Sequence, residues 1–311
     1  MIYGALIQSS MINYSFIIPH HNTPDLLLRL IDSIPQREDI EIIVVDDNSD
    51  ADKKPSIVRD DVKFFYIDKE HTKGAGRARN VGLEHANGKW LIFADSDDFF
   101  SVAISDLLDK YKDSDSDLVY FKVEGRDSET LNLVSRGMIY NQYLDKYERL
   151  HNDYAADILK YSHVVPWCKI IRRSLVEINN IRFEEVRYSN DVMFITKVAN
   201  SARKIEVSDI VAYYVTVRLG SLISQKSVES RRCRSAVAIR QKKFLWDNHR
   251  WRMMTSCIFG LMYILKKYGL SECIVYIKMY RANNIGLMQI LVSEFLNLFN
   301  LMAKYYTYDR F

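Results

Sequence analysis

Two aspartates spaced two residues apart, Asp95 and Asp97, directly follow a short apolar run over residues 90–94. If the chain stays extended beyond this run, the side chains at i and i+2 point to the same side. Two hard carboxylate ligands suit Mg²⁺ or Mn²⁺, which bind few protein ligands and complete their shell with water and substrate phosphates. An isolated pair of this kind is more simply an acidic turn that caps a helix, but its place after a buried strand favours a metal site.

A glycine-rich loop with two arginines, GAGRARNVG at residues 74–82, lies shortly before the acidic pair. Gly74 and Gly76 match the first two glycines of a dinucleotide-binding GxGxxG motif, but Arg79 occupies the third place and the loop does not follow the first predicted strand. An exposed helix start would explain the arginines, although not their closeness to the aspartates. A diphosphate bound by the arginines, with a divalent cation joining it to the aspartates, explains both.

Short apolar segments predict four strands in the first hundred residues, over 14–18, 40–45, 64–67 and 90–94. Apolar residues at helical spacing over 26–34, and the Asn87-Gly88 stop after 77–86, predict helices between them. Alternating strands and helices indicate a parallel sheet covered on both faces. Ligands of such sheets bind beyond the carboxyl ends of the strands, and Pro19, Asp47 and Asp95 all stand at such ends. We therefore expect three motifs to meet at one edge of the sheet.

The rest of the chain divides by pattern into two further parts. A helix near 105–111, a strand near 118–123 and mixed segments occupy residues 101–225. Beyond Gln225 apolar residues recur at helical spacing. We therefore predict three parts: residues 11–100, residues 101–225, and a helical, basic extension over residues 226–311.

Charge is distributed unevenly between these parts. The whole chain of 311 residues carries a formal net charge of only +3, but residues 226–311 hold 15 basic and 5 acidic residues. Nine of the bases lie in the stretch Lys226–Arg252, and six aromatic residues of the extension look exposed by pattern: Trp246, Trp251, Tyr263, Tyr276, Tyr305 and Tyr306. The stretch predicts either a solvated helix face or contact with an anionic membrane surface. Nucleic acid is not expected as a partner, because the sequence has no matching motif.

Cysteine spacing and hydropathy bear on the cellular compartment. The four cysteines show no paired spacing, which predicts free thiols in a reducing compartment. The longest apolar run of the extension, Cys257–Leu265, is shorter than the about 20 residues that span a bilayer. Residues 1–10 lack the basic and apolar regions of a signal peptide, and Met11 is a second candidate start. We expect a cytoplasmic protein, whose extension either attaches peripherally to the inner face of the plasma membrane or packs on the catalytic part or a second subunit.

Four segments in order, YSFIIPHHN, EIIVVDDNSD, GAGRARNVGL and NGKWLIFADSDD, resemble the successive motifs of the family 2 glycosyltransferases. The resemblance is strong over residues 13–100 and continues more weakly through PWCKIIRRSLVEINNIRFEE, YSNDVMF and YYVTVRLGSLIS, which resemble the acceptor half of bacterial polysaccharide-building members. It implies the GT-A fold, a Rossmann-like, mostly parallel α/β sheet flanked by helices, here with a C-terminal helical extension. Residues 11–100 would then bind the nucleotide-sugar, and residues 101–225 the acceptor.

The resemblance also implies which residues bind the donor. Pro19 and Asp47 would border the nucleobase, with Asp47 accepting from the uracil ring NH, and Arg79 and Asn80 would lie near the nucleotide. A late element that touches the diphosphate or closes over it is matched by Arg218 and Ser221. From the residues alone, His20 and His21 diverge on an extended chain, so we expect no joint metal binding and place His21 at the donor site.

Metal-binding and catalytic roles follow from the same resemblance. Asp95 and Asp97 would form the D-x-D pair, with Asp97 the direct metal ligand. Asp191 matches the catalytic base, which usually follows a glutamate and here follows Asn190. Two aromatic residues, His163 and Trp167, either line the acceptor site or simply pack in the core.

Together these roles describe an inverting, metal-dependent hexosyl transfer from a UDP-sugar to a glycan or lipid-linked glycan of a capsule or O-antigen. Mn²⁺ or Mg²⁺, with Arg79 or Arg218, would stabilise the charge on the departing nucleoside diphosphate. Asp191, ionised at neutral pH if its pKa is near 4, would take the proton from the acceptor hydroxyl.

Two other functions stay open at this point. A nucleotidyltransferase would need a glycine-rich phosphate loop after the first strand, where this chain has IIPHHNTPD. A catalytically weak member of the family, acting as a partner in a glycan-synthesis complex, is favoured by Asn190 and opposed by the intact Asp47, Asp97 and Asp191.

Overall fold

The computed structural model of the chain describes residues 11–56, 59–71, 74–218 and 227–308. Within these residues nine strands form a single sheet. The strands are β1 (Tyr14–His20), β2 (Ile40–Asp47), β3 (Val62–Ile67), β4 (Trp90–Phe93), β5 (Phe99–Phe100), β6 (Leu118–Asp127), β7 (Leu133–Val134), β8 (Lys169–Arg172) and β9 (Ile205–Val217). Their order across the sheet is β3-β2-β1-β4-β8-β6-β9-β5, with β7 paired to β6. The predicted α/β architecture is confirmed.

The first four long strands are parallel, as predicted. β1 lies between β2 and β4, and β2 pairs with β3, so all four carboxyl ends lie at one edge. β1 pairs with β4 only as far as Ile17, which leaves Pro19 beyond that pairing, where its missing N–H is not needed. The strand therefore continues to His20, two residues beyond the predicted strand over residues 14–18.

The other half of the sheet is mixed rather than parallel. β8 pairs antiparallel with both β4 and β6, whereas β6 and β9 are parallel. β5 and β7 add antiparallel pairs to β9 and β6. β6 extends past its predicted end at residue 123 to Asp127, because β9 pairs with it along that length. This pairing carries β9 to the same edge as the carboxyl ends of β1, β2 and β4.

Helices cover the sheet and continue beyond it. They are α1 (Pro24–Ser33), α2 (Ala75–His85), α3 (Ile104–Tyr111), α4 (Met138–Leu150), α5 (Asp153–Ser162), α6 (Arg173–Ile178), α7 (Val192–Ser201), α8 (Val228–Asp247), α9 (Cys257–Tyr268), α10 (Leu270–Ala282) and α11 (Leu287–Tyr308). Two glycines let α2 pack closely, since a Cβ at Gly82 would overlap Ile17 of β1 and a Cβ at Gly76 would overlap the carbonyl of Glu184.

Alternating side chains of the central strands build the core on both faces of the sheet. On β1, Phe16 and Ile18 belong to one buried cluster and Ile17 to the other. Each cluster is closed by the helices on its own side, for example by Leu27 of α1 on the first face and Ala78 of α2 on the second. The sheet is thus held rigid, and its carboxyl edge is left for polar residues.

The extension is helical, as predicted, and differs from the sheet in what it buries. α8 packs on α7, and α9 packs against both α10 and α11. No helix among the described residues is both long and apolar enough to cross a membrane. All four cysteines are free thiols; Cys168, Cys257 and Cys273 are buried, and Cys233 on α8 is half-buried.

Candidate active site

Loops that follow β1 and β2 are tied together at the carboxyl edge. His20 Nδ1 donates to Asp46 at 2.7 Å, and its Nε2 accepts the amide of Thr23 at 3.2 Å. Burial lowers the pKa of His20, in keeping with a neutral ring whose tautomer is set by these two partners. Ser49 also donates to Asp46, from its hydroxyl at 2.5 Å and its amide at 3.0 Å. The network fixes the backbone on which the predicted donor residues stand.

Three of the predicted donor residues meet at this place. Pro19 pairs with Val45 on β2, and Asp47 ends that strand and is largely buried. His21 Nδ1 lies 3.0 Å from the carbonyl oxygen of Asp47, so the exposed imidazole stands beside the aspartate. The structure therefore brings Pro19, His21 and Asp47 together, as the sequence predicted.

Beside Asp47 lies a cleft of about 330 Å³ between the ends of β2 and β3. Asn48, Lys54, Tyr66 and Lys69 are among the residues that line it. The Lys54 ammonium lies 5.1 Å from the centre of the Tyr66 ring, which is mostly exposed. Sequence analysis missed Lys54 and Tyr66; the parallel pairing of β3 with β2 was the signal that could have found them.

The acidic pair lies in a turn, and the extended conformation assumed for it is absent. After Phe93 the chain leaves the sheet, and the amide of Asp98 donates to the carbonyl of Asp95 at 3.0 Å. Asp95 Oδ1 accepts from Arg79 Nη2 at 2.5 Å. Asp97 Oδ2 accepts from Arg218 Nε at 3.2 Å. The two carboxylates therefore have different partners, and Asp97 is the one held by an exposed side chain.

Asp98, which sequence analysis did not single out, fastens this turn to β9. Its carboxyl oxygens accept from the Tyr213 hydroxyl at 2.7 Å and the Thr216 amide at 2.6 Å. Tyr213 in turn accepts the amide of Asp95 at 3.0 Å, and the Thr216 hydroxyl donates to the carbonyl of Asp97 at 2.7 Å. Burial, reinforced by the charges of Asp97 and Asp95, raises the pKa of Asp98 well above its ordinary value. Its partners lie 115 and 118 residues further along the chain, so no local sequence pattern could predict the role of Asp98.

Arg79 joins this turn to the segment that leads into α7. Its side chain is 5% exposed, with Nη2 bound to Asp95 and Nη1 donating to Asn190 Oδ1 at 2.8 Å. The guanidinium also lies 5.4 Å from the centre of the Phe183 ring. We predicted that Arg79 or Arg218, together with the metal, stabilises the charge on the departing diphosphate. In this structure both terminal nitrogens of Arg79 are already engaged by side chains, so its role at the site is to hold Asp95.

Asn80, predicted to lie near the nucleotide, uses its side chain in hydrogen bonds within the chain. Its Nδ2 donates to the carbonyl of Phe183 at 3.0 Å, and its Oδ1 accepts the amide of the same residue at 2.9 Å. Both polar groups are thus used to anchor α2 to the segment 181–191. Asn80 acts on the site through the backbone that it positions.

Asp191, the predicted base, stands at the first turn of α7 directly after Asn190. Its side chain makes no capping hydrogen bond to the helix and is half-buried. Burial raises its pKa, the charge of Arg79 acts to lower it, and that of Asp95 acts to raise it further. The ordinary pKa assumed from the sequence is therefore corrected upward, which makes the carboxylate a stronger base.

His163 and Trp167 pack in the interior and do not line an open acceptor surface. His163 Nδ1 accepts from Lys169 Nζ at 2.6 Å, and the Trp167 ring stacks on Tyr213 with centroids 5.8 Å apart. Lys169 is fully buried, and burial lowers its pKa to about 8. Packing, the second of the two expected alternatives, describes both aromatic residues.

Arg218, a predicted donor-site residue, directly follows β9 and pairs with Asp97, and Ser221 lies outside the described residues. In the part of the chain that the structure describes, no group of three or more His, Cys, Asp or Glu side chains could enclose a metal. An open carboxylate such as Asp97 suits Mg²⁺ or Mn²⁺, which take most of their ligands from water and phosphates. The residues present fit a cation that arrives with a phosphate ligand and do not fit an enclosed structural metal.

α8 packs on the segment that carries the site. This differs from the prediction that the basic stretch Lys226–Arg252 is a solvated face or a membrane contact. Arg240 forms two hydrogen bonds of 2.7 Å with Glu184, and Cys233 Sγ lies 3.5 Å from the carbonyl of Tyr188. Further bases of the helix are also paired: Arg231 and Arg232 with Glu272, and Lys243 with Asp247. The stretch is therefore neither a solvated face nor a free cationic surface, because most of its described bases bind carboxylates of this chain.

Comparison with known proteins gives a consistent result. A sequence model described as "Glycosyl transferase family 2" matches residues 15–178, more than half of the chain. The chain is 27% identical over 230 residues to the poly(ribitol-phosphate) β-N-acetylglucosaminyltransferase TarS of Staphylococcus aureus, a match that covers 70% of this chain and 38% of TarS. It is 28% identical over 187 residues to a GalNAc(5)-diNAcBac-PP-undecaprenol β-1,3-glucosyltransferase of Campylobacter jejuni, covering 57% of this chain and 56% of that protein.

The fold has solved counterparts. The structure of S. aureus TarS residues 1–349 with UDP-GlcNAc superposes with a TM-score of 0.59 at 21% identity, covering 78% of this chain and 71% of that one. The sheet with its flanking helices is accordingly the GT-A fold. The match covers 38% of full TarS, so the similarity concerns only part of that protein.

Proposed function

This chain belongs to glycosyl transferase family 2, and we propose that it is an inverting glycosyltransferase of bacterial polysaccharide synthesis that uses a nucleotide-sugar donor. One observation carries the proposal: a single buried guanidinium, that of Arg79, holds both Asp95 of the acidic turn and Asn190 beside Asp191. The donor edge and the acceptor-side carboxylate are thereby held in fixed relation, as direct transfer between two bound sugars requires.

A UDP-sugar is the proposed donor. Asp47 accepts from the ring NH of uracil, and the exposed face of Tyr66 in the adjoining cleft offers a surface on which a base stacks. The TarS structure with the same fold was solved with UDP-GlcNAc, which supports a donor of this class. We place the nucleoside at Asp47, Pro19 and His21 and its diphosphate toward the acidic turn, because both follow strands that end at the same edge of the sheet.

Mn²⁺ or Mg²⁺ is the proposed cofactor. Asp97 would be its direct ligand, and Asp95 would be the second carboxylate of the pair. When bound, the cation would neutralise charge on the leaving nucleoside diphosphate. Arg218, which pairs with Asp97, is placed to donate to the same diphosphate. Asp98 keeps the turn against β9 and so fixes the backbone that carries Asp97. These residues bind and orient the donor and do not move protons.

Asp191 is the proposed base. With a pKa raised by burial, it takes the proton from an acceptor hydroxyl as the oxygen attacks the anomeric carbon from the face opposite the diphosphate. A single displacement of this kind inverts the configuration. The proposed acceptor is a glycan or lipid-linked glycan, and we place the enzyme in the cytoplasm, at the inner face of the plasma membrane. Self-association through the C-terminal helices is the alternative arrangement.

Calorimetric titration with UDP, with and without Mn²⁺, tests the proposal, followed by a hydrolysis assay with a panel of UDP-sugars. We expect UDP to bind more tightly with Mn²⁺ and one UDP-sugar to be hydrolysed slowly. Asp47→Ala should weaken UDP binding on the order of tenfold, since a hydrogen bond to a buried carboxylate is lost. Asp115→Ala, at the opposite edge of the sheet and exposed, is the matched control.

These experiments, together with an assay for pyrophosphate release, distinguish the two other functions. A nucleotidyltransferase would release pyrophosphate from a nucleoside triphosphate and a sugar phosphate. A catalytically weak family member would bind UDP and hydrolyse no sugar of the panel. Binding of another nucleotide in place of UDP would overturn the donor assignment while leaving the fold and family unchanged.

A further inference from the structure

Helices α9 and α11 expose large apolar side chains on one side each. Phe259, Met262 and Tyr263 of α9 are 54–70% exposed, and Leu287, Met288 and Phe295 of α11 are 69–71% exposed. Side chains spaced by three, four or eight residues lie on one side of a helix, and α9 packs against α11. These six residues are called here the C-terminal apolar face. Exposed apolar surface of this extent marks an interaction site on a folded protein.

Charges around this face are of one sign. Lys266 and Lys267 end α9 and are exposed, as are Lys278 and Arg281 on the neighbouring α10. Among the described side chains of α9, α10 and α11 the carboxylates are Glu272, which is buried against Arg231 and Arg232, and Glu294, which accepts from Ser256 and two backbone amides. A partner of this face would therefore meet apolar and cationic groups. The carboxylates of Glu272 and Glu294 are already engaged by groups of this chain.

A second copy of this chain does not fit these charges. In a two-fold contact the same patch lies on both subunits, so Lys266, Lys267 and Lys278 would meet a surface of the partner that carries the same positive charges. Like charges opposed across an interface are unfavourable, and no acidic rim among the described residues offsets them. An anionic bilayer supplies both complements, since its acyl region takes the apolar side chains and its headgroups take the lysines.

We propose that the C-terminal apolar face inserts into the surface of an anionic lipid bilayer, with Lys266, Lys267, Lys278 and Arg281 against the headgroups. The proposal rests on the proposed function in one respect: attachment brings the enzyme to its acceptor only if that acceptor is a lipid-linked glycan in the membrane. The attaching surface is α9–α11, and α8, whose bases are paired within the chain, stays with the catalytic part. The enzyme lies on the membrane and does not span it.

Flotation of the full chain with vesicles tests the proposal. Vesicles of phosphatidylglycerol and phosphatidylcholine should carry the protein upward at low salt, and pure phosphatidylcholine vesicles should carry less. Phe259→Ser with Phe295→Ser should lower binding at least on the order of tenfold for each side chain removed from the acyl region. Lys266→Glu with Lys267→Glu should lower binding to the anionic vesicles, about fivefold or more for each lysine, and should leave binding to neutral vesicles unchanged.

Two controls and two contrary results complete the experiment. Val102→Ser and Ile178→Ser remove apolar side chains of the catalytic part that are 97% and 83% exposed, and they should float as the wild type does. Full chain that stays in the soluble fraction at low salt overturns the proposal. So does light scattering that shows a dimer which Phe259→Ser with Phe295→Ser dissociates. UDP binding needs no vesicle, so either result leaves the donor assignment untouched.

Discussion

The carboxyl edge of the sheet and the C-terminal apolar face differ in which side chains they bury. The edge buries polar groups, and the face exposes apolar ones. At the edge, the guanidinium of Arg79 and the carboxyl group of Asp98 are buried, and each is held by partners from distant parts of the chain. At the C-terminal apolar face, Phe259, Leu287 and Phe295 are 69–71% exposed. Buried charge costs free energy unless it is paired, and exposed apolar area costs free energy unless it is covered.

The difference indicates where each region meets its ligand. A site whose own residues already satisfy one another is preorganised, so a ligand binds it with little rearrangement. An uncovered apolar face becomes complete only when a partner is present. We therefore expect substitutions at the edge to act on chemistry in free solution, and substitutions on the face to act only where a membrane is supplied.

The largest effect is expected from Asp97→Ala. Loss of the open carboxylate should remove metal-dependent turnover, on the order of 10³-fold, because a metal ion contributes several kcal/mol to charge stabilisation. The fold should persist, since Asp97 is half-buried in a turn and its carboxylate pairs with the exposed Arg218 and, among the described residues, with no core residue. Sugar release measured against Mn²⁺ concentration checks this, with Asp115→Ala as control. Retained activity with unchanged Mn²⁺ dependence would refute the assignment.

A smaller loss, about 10²-fold in transfer, is expected from Asp191→Asn with donor affinity preserved, since loss of a general base costs at least this much. Because burial raises the pKa of Asp191, the wild-type transfer rate should fall as pH is lowered through a value above that of an ordinary aspartate, as the base becomes protonated. The variant should lack this dependence. Rates per bound donor from pH 4 to 8 measure it. A collapse of donor affinity with unchanged transfer per bound donor would make Asp191 a binding residue.

The smallest effect is expected from Arg240→Met, which tests whether α8 belongs with the catalytic part. Loss of the paired hydrogen bonds to Glu184 should cost about 1 kcal/mol and lower the melting temperature by about 2–4 °C. Lys243→Met, which breaks a pair within α8, should cost less than half as much. Equal melting temperatures for the two variants would show that Arg240 does not hold α8 to the site.

Sequence patterns predicted the parallel half of the fold well and the mixed half poorly, for a physical reason. β1, β2 and β4 are continuous apolar runs buried on both faces, a signal contained within each strand. β8 is four residues long, and its place between β4 and β6 depends on pairing that no local pattern encodes. The meeting of Pro19, Asp47 and Asp95 at one edge could be predicted, because it follows from parallel strands alone.

The failures at the site have the same origin. The Asp95–Asp98 turn is set by Asp98 binding β9, and the burial of Arg79 is set by Asn190, 111 residues away. In the extension, Tyr276 looked exposed and is buried, whereas Tyr263 is exposed as predicted; the difference depends on which side of its helix faces α8. Tertiary packing determines the turn, the burial of Arg79 and the exposure of the two tyrosines. Periodicity predicts that a helix has an apolar side and does not predict which element covers it.

The half-buried Cys233 gives this site a natural labelling position. The other three thiols are buried, so a thiol-reactive dye should modify Cys233 first. Its sulfur lies beside the carbonyl of Tyr188, three residues before Asp191 in the chain. A fluorophore placed there would sense the backbone that carries the base, and its emission would follow acceptor or donor binding in the otherwise native sequence, with no cysteine introduced or removed.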